Sequence, residues 1–145
     1  MAQFTARRIM VPINGSPTDD EAVRLGCRLA RRARAKVYVV VILEVKRALP
    51  LSETRDTEVE PCERMLDRAE TMGAELDVDI ETEVIQAREA GPAIVDEIRE
   101  WRADLVIIGM PWRERFGDFY MGKTAPYVLR NAPCRVVLFR EPPPM

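Results

Sequence analysis

The run Val37-Tyr38-Val39-Val40-Val41-Ile42-Leu43-Glu44-Val45 decides the fold of this chain. Nearly every residue in it is apolar, and valine dominates. Such runs are typical of strands that are covered on both faces, because side chains pointing in both directions are then buried. Segments of helical periodicity separate this run from four other short apolar runs, at residues 9–13, 78–85, 105–108 and 136–139.

Strands that alternate with helices favour a parallel sheet with right-handed crossovers. The sequence therefore predicts the α/β class and a doubly wound five-stranded parallel sheet with helices on both faces. The third strand is predicted at an edge, because Asp79, Glu81 and Glu83 alternate with less polar residues and leave one face to solvent. Pro12 cannot donate to a ladder, so pairing of the first strand is predicted to stop there.

Four helices lie between the predicted strands. Ser16 can cap the first, with Pro17 at its first position and Asp19 where a capping box places its acid. The second is predicted to begin at Pro61, the third near residue 90 and the fourth after Gly122. We expect one domain with its core at about residues 7–140, a mobile surface loop at 46–60 and a tail at 141–145.

The composition excludes several classes of protein. The chain has 145 residues and no histidine, which removes Ser-His-Asp and Cys-His nucleophile systems and most zinc sites. Its three cysteines are far apart and suggest neither a disulfide framework nor a metal site. No apolar run approaches the roughly 20 residues needed to span a bilayer. Without an export signal, the expected location is the cytoplasm.

The charge is uneven along the chain. Between Ser52 and Glu83 there are twelve acidic residues and three basic ones. This stretch would repel phosphates, and the basic residues elsewhere lack RNA-type aromatic motifs, so nucleic acid is not an expected partner.

Residues 117–124 match the phosphate-loop pattern G-x-x-x-x-G-K-[ST]. A true phosphate loop leaves its strand at the first glycine, whereas Gly117 lies eight residues beyond Gly109, where the fourth predicted strand ends. No later strand ends in an aspartate that would hold magnesium, because the last one ends at Arg140. A P-loop NTPase is therefore a minor alternative.

In a doubly wound sheet, ligands bind beyond the carboxyl ends of the strands, where the winding reverses. The loops at residues 14–17, 42–44 and 110–124 are therefore the candidates for a binding site.

Three blocks of sequence, in this order, resemble the universal stress protein family. They are residues 8–16 (Arg-Ile-Met-Val-Pro-Ile-Asn-Gly-Ser), residues 103–109, and Gly122-Lys123-Thr124 followed by residues 128–137. The resemblance covers about residues 7–140. It implies an adenine nucleotide alpha hydrolase-like sheet of order 3-2-1-4-5, frequent dimers, and a division into ATP binders and non-binders. Binders carry G-x2-G-x9-G-[ST] after the fourth strand and an aspartate after the first.

The match to this nucleotide-binding pattern is partial. Gly109 and Gly122 hold the first and third glycines with the correct separation, but Trp112 replaces the middle glycine. Lys123 replaces the hydroxyl residue, and Asn14 replaces the aspartate. An indole at the middle position blocks the approach of backbone amides to a phosphate or forces the loop onto another path. Asn14 keeps hydrogen-bonding capacity without the charge.

Lys123 lies where the amides of a helix start attract anions. We interpret Gly122-Lys123-Thr124 as an anion-binding position, filled by a phosphate or by the carboxylate of Asp118 or Glu114. The alternative is that Lys123 points into solvent.

The resemblance also implies how a nucleotide would lie. The ligand would be ATP or AMP, with Mg²⁺ accompanying a triphosphate, and a non-binder would hold no cofactor. Trp112 and Phe116 would cover the mouth of the cleft or contact a partner. Main-chain groups near Ile42 would contact adenine, and Ile13 and Asn14 would contact the base or ribose. Gly109, Gly122, Lys123 and Thr124 would contact the phosphates. Pro12 is also expected to bind the nucleotide.

Two functional hypotheses follow. The first is a small cytoplasmic stress-response or regulatory protein that binds nucleotide, with slow ATP hydrolysis at most. The second is a member that binds no nucleotide and acts through protein contacts, for example as the regulatory domain of a transporter. Independently, the last strand is predicted at a sheet edge, and its bare apolar edge predicts a two-fold homodimer through Val136, Val137, Leu138 and Phe139.

Overall fold

The computed structural model describes residues 3–45 and 56–144. Strands and helices alternate along the chain, apart from two short strands after β4. The elements are β1 (Arg8–Ile13), α1 (Asp19–Ala33), β2 (Lys36–Glu44), α2 (Asp56–Glu75), β3 (Ile80–Ala87), α3 (Ala90–Trp101), β4 (Leu105–Met110), β5 (Glu114–Arg115), β6 (Asp118–Phe119), α4 (Thr124–Asn131) and β7 (Arg135–Arg140). No helix within the described ranges is long and apolar enough to cross a membrane.

The main sheet has five parallel strands in the order β3-β2-β1-β4-β7. This confirms the predicted fold class and strand order, with β7 as the fifth strand of the sequence analysis, and it confirms β3 as an edge strand. The winding reverses between β1 and β4. Loops leaving these two neighbours run to opposite faces of the sheet, which opens a crevice at their carboxyl ends.

The central run of β2 is buried on both faces of the sheet. Val37, Val39 and Val41 belong to the apolar layer beneath α1 and α2, whereas Tyr38 and Val40 belong to the layer beneath α3 and α4. These five side chains are at most 4% exposed. Burial of an aliphatic side chain contributes about 1.5–3 kcal/mol, so this run stabilises both layers at once.

The structure corrects the prediction for Pro12. Pro12 and Ile13 stay in register with Val40 and Val41 of β2, so β1 does not stop pairing at the proline. The carbonyl of Arg8 accepts from the backbone amide of Asp104, just before β4. The backbone N–H and C=O groups of the even-numbered residues of β1 therefore face β4. The missing donor of Pro12 therefore faces β4, where pairing has already ended at residue 10.

The second correction concerns the start of α2. This helix begins at Asp56, so the predictions of a helix start at Pro61 and of a loop reaching residue 60 are wrong. Residues 46–55 of the predicted loop lie outside the described residues. Pro61 cannot donate to the carbonyl four residues earlier, and the helix continues through it without that hydrogen bond.

Tyr38 joins β2 to β3 and to α3. Its hydroxyl lies 2.7 Å from Glu83 Oε2 on β3 and 2.8 Å from Glu97 Oε1 on α3, and it donates to these carboxylates. The Tyr38 ring also packs on Trp101, with centroids 5.0 Å apart. Burial, followed by the two hydrogen bonds, raises the pKa of Tyr38.

This shift predicts a loss of stability at high pH. The unfolded chain releases the tyrosine proton above about pH 10, while the folded protein still holds it, so the stabilisation present below that pH is lost as the pH rises. We expect the free energy of unfolding to fall by up to about 1.4 kcal/mol per pH unit more steeply in the wild type than in Tyr38→Phe. Urea denaturation of both proteins across this pH range measures the difference, and parallel curves would contradict the assignment.

Candidate functional site

A cleft of about 660 Å³ opens at the carboxyl ends of β1, β2 and β4. A second cavity of about 410 Å³, between β3 and α3, contains none of the predicted site residues. The structure brings all eight residues predicted to contact a nucleotide to the wall of the larger cleft; they are Pro12, Ile13, Asn14, Ile42, Gly109, Gly122, Lys123 and Thr124. Their individual roles remain predictions.

The loop after β1 is closed by its own side chains. The Asp19 carboxylate accepts from the amides of Asn14 at 3.4 Å and Gly15 at 2.7 Å, and Asn14 Oδ1 accepts from the amide of Ser16 at 3.1 Å. Burial raises the pKa of Asp19, and these amide bonds oppose the shift. The amides of Asn14 and Gly15 therefore already have an acceptor within the protein.

The start of α1 differs from the predicted capping box. The helix begins at Asp19, and Thr18 occupies the capping position. Ser16 Oγ accepts from the amide of Thr18 at 3.2 Å, so Ser16 caps the turn that precedes the helix. The Asp19 carboxylate turns back to loop residues 14 and 15 because Gly15, with a φ of +86°, aims its amide at it.

The start of α3 also meets a carboxylate of the protein. Glu44, at the end of β2, lines the cleft, and its Oε1 accepts from the amide of Ala90 at 3.0 Å. An anion is favoured there by the exposed amides and the dipole of the helix. Acidic groups thus lie along the β1 and β2 side of the cleft.

The glycine at the end of β4 has a packing role. A Cβ at Gly109 would lie 2.9 Å from Phe139 Cζ and 3.3 Å from Ala22 Cβ. The close packing of β4 against α1 and β7 therefore favours glycine at this position, whether or not a phosphate approaches it.

The long loop after β4 contains the hairpin of β5 and β6, which was not predicted. Its two-residue turn is Phe116-Gly117, with φ of 53° and 82°, values that are typical of a type I′ turn. Gly117, the first glycine of the phosphate-loop pattern, lies at this turn and not at the end of a sheet strand. The geometry therefore argues against a P-loop.

The structure brings neither predicted cover residue to the wall of the cleft. The Trp112 ring stacks on Phe119 with centroids 4.9 Å apart, and its Nε1–H donates to Glu114 Oε1 at 3.0 Å. Phe116 is 95% exposed at the hairpin turn. The indole is therefore held against the hairpin and does not enter the cleft.

The position at the start of α4 contains no carboxylate of the predicted pair. Lys123 is the capping residue, Thr124 begins the helix, and the first turn has no acidic residue. Neither Glu114 nor Asp118 lines the cleft. Of the two predicted kinds of occupant, the geometry therefore disfavours these side-chain carboxylates.

Sequence reasoning missed two cleft residues at the base of the hairpin, Arg113 and Tyr120. Arg113 Nη2 lies 4.0 Å from the Cβ position of Gly122. The wall of the cleft therefore carries charges of both signs, and two of its basic side chains, Arg113 and Lys123, lie beside Gly122 at the start of α4. The other charged residues of the wall are Asp19, Glu44, Arg88 and Glu89. The available signal was the strand-like alternation of side-chain directions after residue 112. Using this signal required knowing the direction of the Trp112 side chain.

A doubly wound α/β sheet with a cleft at its switch point defines the class of this protein. The profile described as the Universal stress protein family matches residues 5–140, and the chain belongs to this family. A curated universal stress protein from Methanocaldococcus jannaschii is 25% identical over 142 residues, which cover 94% of this chain and 83% of the relative.

Solved structures of universal stress proteins share the fold. One from Archaeoglobus fulgidus, in complex with dAMP, aligns with a TM-score of 0.72 and 23% identity over 93% of this chain and 98% of that one. One from Arabidopsis thaliana, with AMP bound, aligns with a TM-score of 0.64 and 11% identity over 94% and 92% of the two chains. At these identities the likeness establishes the fold alone.

Proposed function

We propose that this protein binds an adenine nucleotide in the cleft and serves as a regulatory module in stress response. One observation carries the proposal: the residues predicted from separate loops converge on a single cleft, in which Arg113 and Lys123 lie at the start of α4. The phosphates of a nucleotide carry the negative charge that these two side chains attract. The AMP and dAMP held by two structural relatives support adenine as the base.

The charge distribution favours one orientation of the nucleotide. The base and ribose lie against Ile13, Asn14 and Ile42, and the phosphates lie beside Lys123 and Thr124. ATP and AMP both fit this class of ligand, and a triphosphate would bring Mg²⁺ with it. The placement of Trp112 supports binding, because the side chain that replaces the middle glycine packs away from the cleft.

We infer that nucleotide binding, and not turnover, is the activity of the site. The chain has no histidine to act as a general base. Asp19 lines the cleft, and both of its carboxylate oxygens already accept from backbone amides. Slow hydrolysis is the most that this arrangement supports.

The second candidate function, protein contact without nucleotide, is favoured by the closed loop after β1. Asn14 stands where ATP-binding members carry an aspartate, and its side-chain oxygen accepts from Ser16. Such a member would act on a protein partner, for example a transporter that it regulates.

Isothermal titration calorimetry separates the two functions. Dialysed protein is titrated with ATP, AMP and adenosine, each with and without Mg²⁺. Nucleotide binding predicts saturable heat with one site per chain and weaker binding of adenosine, which lacks phosphate. No heat at millimolar nucleotide would refute the first proposal and leave protein contact as the function.

We also propose a homodimer through β7. Among the described residues this strand pairs only with β4, and the half-buried Val136, Val137, Leu138 and Phe139 pack on the two faces of the sheet beside its open edge. An unpaired edge with apolar side chains favours addition of a second copy. Light scattering over a concentration series is expected to show a dimer, and a monomer at high concentration would contradict the proposal.

A further inference from the structure

The segment after β4 turns successive side chains to opposite sides. Trp112 Nε1–H donates to Glu114 Oε1 at 3.0 Å, so these two side chains meet on the side away from the cleft. The Arg140 guanidinium covers the same indole, 4.7 Å from its ring centroid. Three contacts therefore fix the direction of Trp112: the stack on Phe119, the hydrogen bond and the cation.

Arg113, between these two residues, turns into the cleft. Its backbone is held at the base of the hairpin, because its carbonyl accepts from the amide of Tyr120 at 2.8 Å. None of the ion pairs among the described residues includes Arg113. The Arg113 guanidinium thus reaches the cleft beside Gly122 from a backbone that is held in place. It has no acidic partner in the part of the chain that the structure describes.

We propose that Arg113 is a phosphate-binding residue of this cleft; the inference rests on the proposed nucleotide binding. In the family pattern the middle glycine lets backbone amides approach a phosphate. Here Trp112 takes the place of that glycine, and the contacts that hold its ring against the hairpin direct the next side chain, Arg113, to the position beside Gly122. A guanidinium offers a planar pair of N–H donors that matches two phosphate oxygens.

The proposal specifies the class of ligand. Arg113 discriminates nucleotides from nucleosides, because its only contribution is to the phosphate end. Lys123, at the start of α4, adds its ammonium to the guanidinium of Arg113. Two cations would therefore surround one anionic group of the ligand. Binding of a phosphorylated ligand should therefore persist when divalent metal is chelated.

The test is calorimetry of the full chain with ATP, AMP and adenosine in EDTA. Arg113→Gln removes the charge at similar length, and Arg113→Lys keeps the charge without the fork. The matched control is Arg115→Gln, because Arg115 belongs to the same hairpin but covers the rings of Phe116 and Tyr120. Thermal melts confirm that each variant is folded.

We expect Arg113→Gln to weaken ATP binding about tenfold or more, the loss typical of one charge-assisted contact. Adenosine binding should be unchanged, Arg113→Lys should recover part of the loss, and Arg115→Gln should bind as the wild type does. Wild-type affinity of Arg113→Gln for ATP would overturn this inference while leaving nucleotide binding intact. An equal loss for adenosine would also overturn it, and a wild type that binds no nucleotide would overturn both proposals together.

Discussion

Replacing Gly73 with alanine is expected to destabilise the protein by about 2–3 kcal/mol, the upper part of the range for overpacking a core. A Cβ at this position would lie 2.7 Å from the Val78 backbone oxygen and 2.6 Å from Ile80 Cδ1. The backbone cannot retreat easily, because the Val78 amide donates to the Gly73 carbonyl at 2.8 Å. Urea denaturation measures the free energy of unfolding.

The sign of the expected change in the free energy of unfolding distinguishes this packing effect from helix propensity. In an unconstrained helix the same substitution is favourable by about 0.5–1 kcal/mol. The matched control is Ala74→Gly at the next, exposed residue of α2, which should lose only about 1 kcal/mol through helix propensity. A Gly73→Ala protein as stable as the wild type, or more stable, would refute the packing of α2 against the start of β3.

Replacing Lys123 with glutamate is expected to weaken ATP binding at least tenfold, or about 1.4 kcal/mol. A positive charge beside the phosphates becomes a negative one, and Lys123 is exposed at the first residue before α4, so the fold need not change. An acid at a helix start is favourable, so we expect stability to be unchanged or to rise by about 0.3–1 kcal/mol.

The opposite signs separate a binding effect from a folding effect. Lys36→Glu makes the same change in charge at the exposed first residue of β2, at the opposite end of the sheet from the cleft. This control should retain ATP binding. If Lys123→Glu binds ATP as tightly as Lys36→Glu does, then Lys123 points into solvent and takes no part in the site.

The sheet could be predicted from the sequence because the pattern of apolar and polar residues in each strand indicates which of its faces are buried. The valine run of β2 is apolar on both faces, and the acids of β3 alternate because that strand lies at an edge with one face to solvent. The convergence of loops 14–17 and 110–124 followed from topology alone, since the carboxyl ends of β1 and β4 must be neighbours where the winding reverses.

The remaining features depend on contacts that local patterns do not encode. Pro61 is a frequent helix start, but α2 begins at Asp56 and contains this proline in its second turn, although Pro61 cannot donate a backbone hydrogen bond there. The hairpin forms through a turn with Phe116 at positive φ, a conformation that phenylalanine rarely adopts. The direction of Trp112, and therefore of Arg113, is set by contacts with Phe119, Glu114 and Arg140, the last of which lies on a strand that is distant in the sequence.

The crystal structure of the protein grown with saturating ATP tests the central claim most directly. We predict adenine against Ile42 at the end of β2, and phosphates between Arg113 and the start of α4 at Lys123 and Thr124. Well-ordered crystals whose cleft holds no nucleotide at saturating ATP, or whose nucleotide lies on another surface, would contradict this account.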